Sequence, residues 1–230
     1  MIAVDKRSSD PHVLWEEYWS KERVHRPYEN KLSLGEPVNP EFVRIVCISD
    51  THGQLDKVVN RIPDGDILVH CGDFTNNGEL EEIQKFDATI GQLPHKNKIV
   101  IAGNHELGFD DTENLELRQR KSRGLGTPKG YKHLKNCTIL HDKAVEIYGL
   151  KIYGSSWHPL EGYSFSCTRG NELASKWSKI PQRHRRFVDS YTSAWSYGYF
   201  QRWSTLGMCR VIERRRTKNS SEITRVWTRS

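Results

Sequence analysis

The sequence predicts an α/β fold built on a parallel sheet, and three observations predict it. Three apolar runs, Phe42 to Ser49, Asp66 to Cys71 and Lys98 to Ala102, are rich in Ile and Val and read as buried strands. Each stops abruptly in polar or turn-forming residues: Asp50, Thr51, His52 and Gly53; Gly72 and Asp73; Gly103, Asn104, His105 and Glu106. Helix-length segments separate the runs, and alternation over about sixty residues is the pattern of right-handed parallel crossovers. Strands that all finish in Asp, His or Asn collect oxygen and nitrogen donors at one carboxyl edge, where open α/β sheets place their sites. The sequence therefore points to a metal site.

The elements follow in order. A chain of 230 residues, 36% apolar and 28% charged, suits one domain with a sizeable core. Residues 1–40 are polar and Pro-spotted. Asp10 and Pro11 make a cap and first turn, and Leu14 with Tyr18 and Trp15 with Trp19 stand four apart, which predicts a short helix. That helix is expected to lie against its own domain, the other reading being a docking helix for a partner. The first ten residues lack the apolar block of a secretory signal and no stretch approaches a membrane span, so a cytoplasmic or nuclear setting is expected, neither secreted nor in a membrane. Five scattered cysteines without a C-x-x-C pair agree, reading as reduced thiols.

After the first strand, Leu55 to Asn60 reads as a short helical segment. Glu79 to Gly91 reads as a helix with Leu80, Ile83, Phe86 and Ile90 on its apolar face. Residues 107–136, rich in charge, Gly and Lys, form a long excursion over the strand ends. Shorter strands are expected at Thr138–Leu140, Ala144–Tyr148 and Leu150–Gly154, with a hairpin turn through Gly149.

The net charge of +6 is unevenly placed: residues 183–230 hold eleven Arg and Lys against three Asp and Glu, leaving residues 1–182 slightly acidic. A nucleic-acid partner is therefore not expected, since the basic and aromatic character belongs to a tail without the periodicity to build a platform.

The chemistry lies in Asp50-x-His52, Gly72-Asp73 and Gly103-Asn104-His105-Glu106. Two residues apart at a strand end, Asp50 and His52 leave on the same side and reach one ion. Asp73 from the neighbouring strand can bridge it to a second, which the Asn104 amide oxygen can bind. Mixed oxygen and imidazole donors suit Mn, Fe, Zn or Mg without choosing among them.

In this order the motifs resemble the calcineurin-like metallophosphoesterase superfamily. The wider wording, RIVCISDTHG, DILVHCGDFT and KIVIAGNHELGFD, is closer to its metallophosphoesterase-domain (MPPED) branch, and the likeness runs from residue 41 to about 182. The resemblance implies a β-sandwich flanked by helices, with Asp50 and His52 on one metal, Asp73 bridging, Asn104 on the other and His105 standing over the leaving group. It further implies phosphodiester hydrolysis, cyclic nucleotides included, by a hydroxide shared between two metals.

The family also carries a strand ending in Thr-His before a Pro-rich turn and a later Gly-His-x-His, and neither is present in this chain. Read from the last two bases of each codon and the first of the next, with synonymous codons allowed, Arg183 to Tyr197 can encode GIDVLLTHTPPLGH, and Thr224 to Ser230 can encode HVFGHV. The expectation is a frame or splice shift near codon 182. Residues 1–40 are then an extension, 41–182 an incomplete metallophosphoesterase domain with its second sheet lost, and 183–230 a disordered basic tail. One metal is expected to be held better than two, with impaired hydrolysis. The alternative is an inactive metal- or nucleotide-binding protein. His158 and His184 are spare imidazoles away from the family's ligand positions.

Overall fold

Both-sided burial explains the apolar runs. Strand β1 (Phe42–Ile48) pairs in parallel with β2 (Ile67–His70), and β2 with β3 (Asn97–Val100), in registers such as Ile45 opposite Ile67 and Val69 opposite Ile99. Most side chains on both faces of these strands are buried, which demands near-continuous Ile, Val and Leu. The computed structural model describes residues 37–113 and 124–180, the strands within 186–189, 209–215 and 225–229, and four single positions near the N-terminus. The expected helix of residues 10–19 lies outside the described residues.

One face of the sheet is covered by helix. Val46, Ile48, Leu68 and Val100 pack with Ile83, Phe86 and Ile90 of helix α2 (Leu80–Gln92), which follows the single turn of α1 (Leu55–Val58). Leu80, expected on that apolar face, is 39% exposed, while Asp87 is buried in its place. The Asp87 carboxylate accepts the backbone N–H groups of Lys135 and Asn136, each at 2.8 Å, and so fastens the loop before β4 (Thr138–Ile139). A reciprocal Glu79–Glu82 capping box starts α2.

The other face carries a second core. Val43, Ile45, Ile67, Val69, Ile99 and Ile101 meet Leu140, Leu150 and Ile152, so the hairpin of β5 (Lys143–Ile147) and β6 (Leu150–Ser155) lies over the main sheet as a second layer. After β6 the chain reaches α3 (Asn171–Trp177).

The tail departs from its expected disorder over three stretches. Strand β7 (Arg186–Asp189) runs parallel to β6, so the second sheet is not lost but has the order β5-β6-β7. Strands β8 (Cys209–Arg215) and β9 (Arg225–Arg229) extend the main sheet to the order β4-β3-β2-β1-β8-β9, with Phe42 opposite Arg215 and Cys47 opposite Arg210. The physical reason is edge pairing: β1 presents backbone donors and acceptors that a β-branched run such as Val211-Ile212 satisfies without any helix-like or alternating pattern. No helix among the described residues is long and apolar enough to cross a membrane. Burial pushes the thiols of Cys137 and Cys167 up to about 12 and about 11, keeping them protonated.

Candidate metal centre

The three motif turns are zipped together beyond the ends of their strands. The Asp50 N–H donates to the Gly72 carbonyl at 3.0 Å, the His52 N–H to the Asp73 carbonyl at 3.0 Å and the Gly53 N–H to the Phe74 carbonyl at 2.8 Å. Asp50, His52 and Asp73 have φ values of 56°, 39° and 54°, a left-handed backbone that is uncommon for residues other than glycine. Gly72, at φ 95°, is required by close approach, because a Cβ there would lie 2.7 Å from the Gly103 nitrogen.

This geometry converges three donors. Ligand atoms of His52, Asp73 and His105 all lie within 4.8 Å of one another, on half-buried side chains. Each imidazole is oriented by a backbone carbonyl. The Nδ1–H of His52 donates to the Thr75 carbonyl at 3.2 Å and that of His105 to the Asn76 carbonyl at 2.6 Å, which leaves each Nε2 as the basic nitrogen. The Asn76 carbonyl, not a carboxylate, holds the His105 ring, and the Asp73 carboxylate accepts the His105 backbone N–H at 3.1 Å. Asn76 is itself tied down, donating its N–H and its side-chain amide to Glu82 at 2.9 and 2.6 Å.

Of the other expected ligands, Asp50 stands outside the tight trio and is exposed, yet its charge acts on Asp73. Asn104 is half-buried on the turn between Gly103 and His105. Burial holds the Asp73 carboxyl above the ordinary range, His105 opposes this, and the Asp50 charge adds to it. Such a carboxylate-rich site with imidazole Nε2 atoms free to coordinate fits a divalent cation, whose charge relieves the carboxylate repulsion.

Glu106 closes the third motif, where its sequence context assigns it no role. It is wholly buried and accepts four hydrogen bonds, from the backbone N–H groups of Asp73 (2.9 Å), Thr75 (2.8 Å) and Gly103 (2.6 Å) and from the Thr75 hydroxyl (2.9 Å). One carboxylate thus braces the second and third turns against each other. The first turn has a similar support, since the buried Thr51 hydroxyl bonds the His70 Nε2 at 2.9 Å and burial lowers that imidazole to about 3, keeping it neutral.

His158 is not a spare ligand. Its Nε2–H donates to the Ser164 carbonyl at 2.6 Å and its Nδ1 accepts the Leu160 N–H at 3.1 Å, so both nitrogens are committed to the loop they close. His184 lies outside the described residues. Burial lowers His158 to about 4 from an ordinary 6.5. Between those values the unfolded chain binds a proton that the folded chain refuses, so stability falls as pH drops from 6.5 to 4, by about 3 kcal/mol if the loop stays closed. Thermal melts across that window check this, and His158→Gln is expected to flatten the dependence.

Residues 43–205 match the family described as calcineurin-like phosphoesterase. The chain belongs to that family. UPF0046 protein C25E10.12 of Caenorhabditis elegans is 47% identical over 206 residues, 89% of this chain and 73% of that one. UPF0046 protein K07C11.7 of the same organism is 43% identical, covering 80% of this chain and 65% of that one. The human metallophosphoesterase domain-containing protein 1 is 37% identical over 196 residues, covering 79% and 60%. These relatives support the metallophosphoesterase-domain branch, and the chain spans less than two-thirds of the latter two. Metal-dependent phosphoester hydrolysis is the chemistry of the family, and its match continues past residue 182 into the stretch that holds β7.

Proposed function

We propose that this site is built to hydrolyse a phosphodiester, cyclic nucleotides included, with Asp50, His52 and Asp73 holding one divalent ion, Asp73 and Asn104 a second, and His105 serving the leaving group. The convergence of His52, Asp73 and His105 within 4.8 Å carries this reading. Bound there, such an ion polarises phosphoryl oxygens and acidifies water. The chain's own residues do the rest. Asp50 and Asp73 supply negative oxygen donors, and the Thr75 and Asn76 carbonyls aim the two imidazoles. His105 acts on the departing oxygen through Nε2, giving it a proton when the ring is an imidazolium whose Nδ1–H stays on the Asn76 carbonyl, the task of a general acid. Oxygen and imidazole donors suit manganese as well as Fe, Zn or Mg, and reduced thiols suit a cytoplasmic setting.

The second ion's position has only Asp73 and Asn104 from residues 1–182, too few to hold it tightly, so hydrolysis by this chain is impaired. A shifted reading frame from about codon 182 accounts for the missing histidines. An inactive metal- or nucleotide-binding protein is the second reading, favoured because no fourth His, Cys, Asp or Glu joins the tight trio among the described residues.

Metal content and turnover separate the two. The full chain dialysed against manganese is expected to carry between one and two ions and to cleave bis-p-nitrophenyl phosphate slowly. A single ion without cleavage favours the binding reading, and no bound ion defeats both. The transcript read across codons 175 to 230 tests the frame.

A further inference from the structure

Tyr163 lies between β6 and α3, outside every motif turn, yet its ring centroid stands 5.5 Å from that of His105, tilted by 46°. His105 in turn meets His52 edge-on at 4.7 Å. The stretch carrying Tyr163 is fixed on both sides of it. The Ser164 carbonyl accepts from His158, the Ser164 hydroxyl donates to Glu113 at 2.9 Å, and Phe165 is buried in the core at φ 59°. His158 donates its N–H to the Phe165 carbonyl at 3.1 Å, and Cys167 returns one to the His158 carbonyl at 2.9 Å.

This fixed loop holds a half-exposed phenol beside the site. A tyrosine buried for packing usually finds its hydroxyl a partner, and the described residues show none for Tyr163. The ring neither fills the core nor braces a motif turn. It offers an aromatic face next to the imidazole assigned to the leaving group.

We propose that Tyr163 is a specificity-determining residue: its ring is the wall on which the planar leaving group of a phosphate ester, aryl or nucleoside, stacks while the phosphate lies among His52, Asp73 and His105. This rests on the phosphoesterase reading above. A planar group gains an offset stack on the phenol face, and an alkyl group of the same size gains little.

The test is calorimetric binding of four ligands to the manganese-loaded full chain: inorganic phosphate, ribose 5-phosphate, phenyl phosphate and adenosine 5′-monophosphate. The two planar esters are expected to bind more tightly than the other two. Tyr163→Leu is expected to weaken them by about tenfold and to leave inorganic phosphate and ribose 5-phosphate unchanged, and Tyr163→Trp to keep the preference. Loss confined to the monophosphate assigns a nucleoside, and equal loss on phenyl phosphate an aryl ester. If all four ligands weaken together, the ring merely props His105 and the proposal fails. It fails too if the wild-type chain binds inorganic phosphate without preferring planar esters. Failure to bind any of the four removes the phosphoesterase reading and this proposal together.

Discussion

Asp73→Asn is expected to remove metal binding while making the metal-free protein more stable. The substitution keeps the oxygen that accepts the His105 N–H and the backbone N–H that reaches Glu106, so the turns stay in place. It deletes one negative charge from a site where burial, with the Asp50 charge adding to it, already holds the Asp73 carboxyl above its ordinary range. Relief of that penalty favours the folded state. The same charge is what attracts the cation. Loss of groups that merely orient a ligand lowers metal affinity by about 10–100-fold, so loss of a shared carboxylate ligand is expected to reach at least the upper figure. Manganese at 100 times its dissociation constant stabilises a protein by about 2.7 kcal/mol. In thermal melts the wild-type chain is therefore expected to gain stability on adding manganese, and Asp73→Asn to start higher and gain nothing. A variant that starts lower and still responds to metal would place the cation elsewhere.

The opposite effects expected of that one substitution follow from which parts of the molecule its sequence encodes openly. Central strands such as Ile67–His70 were legible because burial on both faces leaves only apolar residues admissible. The polar turns were legible because they interrupt those runs. Asp50, His52, Asp73 and His105 could therefore be named from spacing, and the structure sets them on adjacent turns. The parts that aim them could not. Thr75 and Asn76 act through backbone carbonyls, which any residue supplies, and Tyr163 reaches His105 across a gap of nearly sixty residues. Asp87 was hidden by its chemistry, since a carboxylate on a buried helix face becomes intelligible only once the Lys135 and Asn136 amides are seen to meet it. The strands of the tail were missed because pairing along a free edge needs no side-chain period.

Glu106→Gln is expected to be the most destabilising conservative change in the site. Burial, and after it the Asp73 charge, push this carboxyl up, while the hydrogen bonds from Thr75 and Gly103 pull the other way. Two effects of opposite sign therefore compete in the variant. An amide removes the repulsion with Asp73, which favours folding. It also replaces one oxygen with an NH2 group, and each carboxylate oxygen receives two donors: Thr75 N–H and hydroxyl on Oε1, Asp73 and Gly103 N–H on Oε2. Whichever way the amide turns, two buried donors lose their acceptor and face another donor, at about 1–3 kcal/mol each. The lost acceptors outweigh the charge relief because three of the four donors are backbone groups that cannot turn away. A net loss of about 3 kcal/mol lowers the melting temperature by roughly 10 °C in a chain of this size. Activity is expected to fall with it, since the brace between the Asp73 and Gly103 turns is gone. Thermal melting of Glu106→Gln beside Asp73→Asn decides the matter, since one neutral isostere is expected to lower stability and the other to raise it. If Glu106→Gln melted higher than the wild-type chain, repulsion would be the dominant force at this carboxylate and its role as a brace would be lost.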